Sequence, residues 1–175
     1  MIPILILGSA VAALGLYYLR FVMRERRQLR SWPELVATIR PLDILQIERI
    51  ASSYLNPEKN QLRIEPGEMW ELLGGHEGLC RMRDNAEAML ELARHVQRWN
   101  LTEGRIVTEM MRRDAVRLRT AARKIELAAL SRRCAAVAPF SVQEASAAYF
   151  LMRQRLLALY ENNHAGLRPQ LASVL

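Results

Sequence analysis

The stretch that decides the fold is residues 76–100, HEGLCRMRDNAEAMLELARHVQRWN. Apolar residues recur here in alternating steps of three and four, at Leu79, Met82, Ala86, Met89, Ala93 and Val96. Such steps place side chains along one face of an α-helix, and the resulting stripe keeps contact with a neighbouring helix that packs at a small crossing angle. The spacing therefore predicts a long helix with one buried face.

Two later stretches carry the same stripe. In residues 102–133 it connects Val107, Met111, Leu118, Ala121, Ile125 and Ala128. In residues 141–162 it connects Val142, Ala145, Tyr149, Met152, Leu156 and Leu159. Asp114 occupies one place in the first series, and we expect it at the exposed margin of the stripe. The alternative is a buried carboxylate paired with Arg113 or Arg117.

Local signals mark where these helices begin. Thr102 is a suitable N-cap for the second one. Ser141-Val142-Gln143-Glu144, preceded by Pro139, matches the capping box in which Ser and Glu each accept a free backbone N–H. The connections are short, so neighbouring helices should run antiparallel.

A shorter helix is expected upstream, from Pro41 to Leu55, with one side formed by Ile44, Ile47, Ala51 and Tyr54. Residues 56–66 form a polar connection, and a short helix over residues 67–73 ends at a double glycine. The predicted fold is all-α: an N-terminal transmembrane helix followed by an antiparallel helical bundle, with three long helices and one or two shorter ones.

The N-terminal segment predicts the transmembrane helix. Residues 2–19 contain no charged side chain. Continuing through Arg20 to Met23 gives about 21 residues, or roughly 31 Å of helix, close to the hydrocarbon thickness of a bilayer. A cleaved signal peptide is the first alternative, but no positive residue precedes the apolar run. A buried helix of a soluble domain is the second. We favour a retained anchor.

The flanking charges give the anchor a direction. Arginines cluster after the apolar run and none precedes it, which predicts an outside N-terminus and a cytoplasmic C-terminal domain at the cell (inner) membrane. The predicted membrane-interface residues are Tyr17, Tyr18, Arg20, Arg24, Arg26, Arg27, Arg30 and Trp32. The predicted divisions are the anchor (1–23), a basic juxtamembrane linker (24–40), the bundle (41–165) and a C-terminal tail (166–175).

The chain carries a net charge of +7, and its basic residues are almost all arginine. The densest basic stretch lies on the second long helix, where Arg112, Arg113, Arg117, Arg119, Arg123 and Lys124 could contact an anionic partner. Residues 34–100 hold more acidic than basic side chains, and they should pack against this helix. We therefore favour a solvated face whose charges pair with an acidic neighbour, and we do not expect nucleic-acid binding.

No constellation of catalytic or ligand-binding residues emerges from the sequence. Glu161 and His164 have the spacing used in di-iron bundles, but the second such pair is missing. The glycines at 74, 75 and 78 do not match a phosphate-binding loop. We expect no enzyme, cofactor, metal site or small-molecule substrate. The predicted function is a membrane-anchored interaction or scaffolding protein that binds the bilayer and a protein partner or itself. The alternatives are an accessory subunit of a membrane complex and a tethered domain that binds nucleic acid or anionic lipid.

Overall fold

The computed structural model describes residues 15, 18, 31–56, 64–98, 100–130 and 134–175. These residues are helical with short connections, and no strand occurs among them, which confirms the all-α bundle. The helices are α1 (Trp32–Ala37), α2 (Ile44–Leu55), α3 (Pro66–Leu72), α4 (Gly75–Gln97), α5 (Leu101–Leu130), α6 (Cys134–Asn163) and α7 (Arg168–Val174). A short 3₁₀ turn, Ala165–Leu167, connects the last two.

The bundle is antiparallel, and its first member is a helix broken into α1 and α2. Later residues of this member contact earlier residues of α6. Trp32 donates a hydrogen bond to Tyr160, and Ser53 accepts a hydrogen bond from Gln143. Between them, Asn85 of α4 bridges the backbone of Arg40 to Tyr149. Helix α2 therefore runs antiparallel against α6, whereas α1 packs on α4 and reaches α6 through Trp32. Helices α4, α5 and α6 complete an up-down arrangement.

Helix α6 lies at the centre of the bundle. It packs most extensively on α5 and also contacts α2, α4 and α3. A helix covered on several sides does not need a polar face, and small residues allow its neighbours to approach closely. The buried side chains of α6 cover a broad side of the helix: Ser141, Val142, Ala145, Ser146, Ala147, Ala148, Tyr149, Met152, Leu156, Leu159 and Tyr160.

The predicted stripes account for most of the core. All six apolar positions of α4 and all six of α6 are buried. On α5, four of its six positions are buried, whereas Val107 and Ala128 are half-buried. Tyr54 of α2 is 36% exposed, contrary to expectation, and its ring meets Phe140 instead at a centroid distance of 5.5 Å.

Three predicted helix starts are wrong. Helix α2 begins at Ile44 rather than Pro41, because Asp43 caps it by accepting the N–H of Gln46 at 3.2 Å. Helix α5 begins at Leu101, and its cap is Asn100, whose Oδ1 accepts the N–H of Glu103 at 3.3 Å. Thr102 is therefore not the cap.

The third wrong start is that of α6. The helix begins at Cys134, so Pro139 lies inside it and Ser141 is a buried interior residue rather than a cap. Contacts of Phe140 and Gln143 with α2 hold this early part of the helix against the bundle. Tertiary packing has overridden the local start signal.

Both segments predicted to flank the bundle contain helices that pack on it. Helix α1 lies within the predicted linker, residues 24–40, and buries Leu35, and Ile39 just after the helix is buried too. Helix α7 lies within the predicted tail, residues 166–175, and buries Leu171, and Leu175 just after it is buried too. The bundle therefore draws packing residues from both flanks.

The predicted anchor, residues 1–23, lies outside the described residues apart from Gly15 and Tyr18 and stays a prediction. The same holds for the interface residues Tyr17, Arg20, Arg24, Arg26, Arg27 and Arg30; Tyr18 is 68% exposed. Within the part of the chain that the structure describes, no helix combines the length and apolar content needed to cross a membrane.

Candidate functional site

The six basic residues predicted to contact an anionic partner all lie exposed on the outward side of α5. Arg112, Arg119 and Arg123 fall on one edge of this side, and Arg113, Arg117 and Lys124 fall on the other, as expected from the helical repeat. We call this surface the α5 outer face. Arg105 extends it toward the start of the helix.

Carboxylates accompany most of these basic residues. Glu109 faces Arg112 at 2.9 Å and Arg113 at 3.6 Å, and hydrogen bonding from Arg112 lowers the pKa of the Glu109 carboxyl. Arg119 reaches Glu87 of α4 at 2.9 Å, and Lys124 reaches Glu144 of α6 at 3.7 Å. The pairing of the basic helix with acidic neighbours is therefore present. Pairs this exposed contribute little to stability, so they leave the arginines able to exchange partners.

Apolar side chains are interspersed among these charges, and the sequence reasoning did not single them out. Ile106 is 61% exposed, Met110 42%, Val116 56% and Leu127 66%. The sequence could have indicated them, because each is an apolar residue that lies outside the predicted buried stripe of its helix. Apolar side chains that share a surface with arginines are typical of protein interfaces.

Asp114 belongs to the core, and the expectation that it sits at an exposed margin is wrong. The residue is 2% exposed, and it pairs with Arg155 of the neighbouring helix α6. Arg117, one of the two partners considered, is a more distant cation at 3.9 Å. The ion pair therefore connects α5 to α6 behind the outer face.

Two buried polar contacts hold α1 and the turn after it to the bundle. Asn85 accepts the N–H of Arg40 and donates to its carbonyl oxygen, both at 2.8 Å, and also donates to the Tyr149 hydroxyl at 3.2 Å. The Tyr160 hydroxyl accepts from Trp32 Nε1 at 3.0 Å and donates to the carbonyl oxygen of Leu92 at 3.2 Å. Trp32, predicted at the membrane interface, is thus half-buried against the bundle.

These two tyrosines should make the fold sensitive to alkali. Burial raises the pKa of Tyr149 and of Tyr160 to about 12 each, above the ordinary value near 10. A raised folded-state pKa stabilises the protein below the unfolded value, and this stability is lost as the pH rises toward 12. Between pH 10 and 12, we expect the free energy of unfolding to fall by up to about 1.4 kcal/mol per pH unit for each tyrosine.

Urea unfolding followed by circular dichroism across this pH range measures the effect. Tyr149→Phe and Tyr160→Phe should each reduce the slope of stability against pH. Equal slopes in the original protein and in both variants would contradict the assignment.

The three histidines lie on α4 and just after α6. Among the described residues, no group of three or more His, Cys, Asp or Glu side chains is placed to hold a metal ion. His164 lies beside Tyr160, with ring centroids 6.4 Å apart. Burial, the charge of Arg98 and then His164 lower the pKa of His95, which favours its neutral form. His76 Nε2 lies 3.6 Å from the Cys80 sulfur.

A shallow cleft of about 240 Å³ lies between α2, α3 and α4. Its apolar part is formed by Ile47 and Leu73, and its charged rim includes Glu77 and Arg81, which pair with each other. Pockets for small molecules usually enclose roughly 300–1,000 Å³. The cleft is below that range, and its charged groups already satisfy one another.

The remaining tryptophans give no binding platform in the described structure. Trp70 is half-buried and packs on the core, and Trp99 lies outside the described residues.

No protein-family model matches the chain, and no curated protein or solved structure is significantly similar to it. Function therefore has to be inferred from the residues themselves.

Proposed function

We propose that this chain is a single-pass membrane-anchored interaction protein, whose helical bundle holds a partner at the cytoplasmic face of the membrane. The apolar run at residues 2–19 and the arginines after it support the anchor and its direction. The bundle supplies a folded module with its own core, which includes Leu79, Met111 and Leu156.

The observation that carries the proposal is the α5 outer face. Val116 and Leu127 are more than half exposed there, on a helix whose opposite side is buried in the core. Covering exposed apolar groups with a partner surface lowers the free energy, so such groups favour binding. The arginines beside them can exchange a weak internal ion pair for one with a carboxylate of the partner. The partner we expect is a protein surface with apolar and acidic residues, and a second copy of this chain is one form of it.

The interaction is tested by affinity purification of the full chain from solubilised membranes through a C-terminal tag. We expect Ile106→Asp combined with Val116→Asp to abolish co-purification of the partner, because it places charge in the apolar part of the face. Leu45→Asp, at a residue that is 78% exposed on α2, is the matched control and should retain the partner. Retention by the α5 variant would contradict the proposed face. Two differently tagged copies distinguish self-association from capture of another protein.

The anchor is tested separately by reporter fusions at the C-terminus and by alkaline carbonate extraction of membranes. We expect a cytoplasmic reporter to be active and the chain to resist extraction. Deletion of residues 2–23 should release the protein into the soluble fraction. An extractable full chain, or a reporter active only outside the cytoplasm, would contradict the anchor or its direction.

A second candidate is an accessory subunit of a larger membrane complex. It is favoured by exposed apolar side chains beyond α5, because Leu45 is 78% exposed and Phe140 is 62% exposed. A subunit would use several faces at once. In that case both Leu45→Asp and the α5 variant should weaken assembly, which separates it from a single-face interaction module.

A further inference from the structure

One end of the bundle brings together the start of α1, the start of α5 and the ends of α4 and α6. Trp32 Nε1 reaches the hydroxyl of Tyr160, which in turn donates to the carbonyl oxygen of Leu92. Asn100 Nδ2 donates to Asn163 Oδ1 at 2.9 Å. We call this the Trp32 end.

The chain between Ser31 and Arg40 is fixed to the bundle. Glu34 accepts the N–H of Ser31 at 3.1 Å, which supports the first turn of α1. Leu35 is buried, and Asn85 binds both backbone groups of Arg40. The chain therefore joins its N-terminal segment at the Trp32 end, with no free linker after Ser31.

The surface of the Trp32 end combines four exposed arginines with one prominent apolar side chain. Leu101 is 73% exposed at the first position of α5. The exposed arginines are Arg94, Arg98, Arg105 and Arg168. Carboxylates also lie here: Glu34 accepts the N–H of Ser31 at 3.1 Å, Glu91 is half-buried on α4, Glu103 accepts a hydrogen bond from Asn162 at 2.9 Å, and Glu161 faces Arg168 at 3.5 Å.

Exposed carboxylates gather at the opposite end of the bundle, on and around α3, at Glu65, Glu68, Glu71 and Glu77. Arg49 pairs with Glu68 at 3.5 Å, and Arg81 pairs with Glu77. We call this the acidic end, and it lies away from the point where the N-terminal segment joins the bundle.

We propose that the Trp32 end rests on anionic lipid headgroups of the membrane that carries the anchor, with Leu101 reaching the interfacial region. The proposal depends on the anchor of the proposed function. An anionic leaflet attracts basic side chains that lie within about one Debye length, roughly 10 Å. An exposed leucine that enters the interfacial region buries apolar surface, which is favourable. The acidic end then points away from the leaflet.

Lipid fits this surface better than nucleic acid does. Nucleic-acid sites combine basic residues with aromatic side chains on which bases stack, or with an element that enters a groove. Among the described residues of this end, the aromatic side chains of Trp32 and Tyr160 bond to each other and Trp32 is half-buried, whereas the exposed apolar side chain is an aliphatic leucine.

The test uses the full chain reconstituted in phosphatidylcholine vesicles with and without phosphatidylglycerol. A fluorophore is attached to Leu101→Cys or to Leu127→Cys in a background with Cys80→Ser and Cys134→Ser. The two leucines are a matched pair, since both are exposed on α5, at 73% and 66%. They are 26 positions apart, which is roughly 39 Å along the helix. Lipids with a quencher on the headgroup report proximity to the bilayer surface.

We expect strong quenching at position 101 in the anionic vesicles, loss of most of it in neutral vesicles or high salt, and little at position 127 in either. Arg105→Glu should reduce quenching at position 101, and Arg123→Glu should not. Hydrogen exchange of the unlabelled protein over residues 100–106 should slow in anionic vesicles, which provides a measurement independent of the cysteine variants.

Other results would overturn the inference. Absence of quenching at both positions in a chain that resists carbonate extraction would refute the lipid contact and leave the anchor intact. Equal quenching at both would show α5 lying flat on the bilayer. Salt-sensitive binding of a DNA duplex that is lost with Arg105→Glu, without lipid quenching, would assign the surface to nucleic acid. Extraction by carbonate would remove the proposed anchor itself.

Discussion

Replacing Arg155 by methionine is expected to lower the free energy of unfolding by about 3 kcal/mol, because it leaves the Asp114 carboxylate buried without its main partner. The side chain of Asp114 is only 3% exposed. The next cation, Arg117, is 3.9 Å away and 68% exposed, so it offers partial compensation. Urea unfolding at neutral pH, followed by circular dichroism, measures the loss.

Replacing Asp114 instead should lower the free energy of unfolding by a smaller amount. Asp114→Leu leaves Arg155 without its carboxylate, but the Arg155 side chain is already 26% exposed and can turn toward water. Removing both charges, in Asp114→Leu with Arg155→Met, should restore stability to within about 1 kcal/mol of the original protein, because the site then contains apolar groups of similar volume. A double-mutant cycle over the four proteins gives the coupling between the two side chains.

A surface pair supplies the control. Arg119 and Glu87 also connect two helices, but their side chains are 47% and 41% exposed. Arg119→Met should therefore change stability by less than about 1 kcal/mol. If Arg155→Met has no larger effect than Arg119→Met, the buried pair is not an important link between α5 and α6.

The helix stripes were readable from the sequence, whereas the partners of buried polar groups were not. A repeat of three and four positions determines which side of a helix is buried, so residues such as Met82, Met111 and Leu156 could be assigned to the core. The same repeat places Asp114 at the correct angle. It contains no information on which helix will pack there, and the decisive residue, Arg155, is 41 positions away in the sequence.

Local start signals were less dependable because tertiary contacts compete with them. Ser141 and Glu144 satisfy the capping pattern, yet burial of Ser141 and Val142 continues the helix back through Pro139. The long-range bond from Trp32 to Tyr160 spans 128 positions, and no local pattern indicates it. The candidate sites reflect the same limit. The basic residues of α5 were evident from the sequence, but the arginines of the Trp32 end come from separate parts of the chain, at positions 94, 98, 105 and 168.

Replacing Gly78 by alanine is expected to destabilise the protein by about 3 kcal/mol, at the upper end of the usual cost of overpacking. A Cβ at this position of α4 would lie 1.7 Å from the carbonyl oxygen of Leu73 and 2.8 Å from its carbonyl carbon. Both are backbone atoms, so no rotamer change can relieve the clash. The turn between α3 and α4 would therefore have to move. Gly74 and Gly75 in this turn both adopt left-handed backbone conformations, with φ of 82° and 64°.

Gly67→Ala is the matched control, because it adds the same methyl group to neighbouring helix α3 with nothing within 4 Å. Alanine is the better helix former, so this variant should be as stable as the original or more stable by up to about 1 kcal/mol. Urea unfolding of both variants measures the difference. If Gly78→Ala falls within about 0.5 kcal/mol of Gly67→Ala, the α3–α4 turn can shift without loss. Because this turn lies at the acidic end, Gly78→Ala should weaken the fold while leaving lipid contact at the Trp32 end unchanged in the molecules that remain folded.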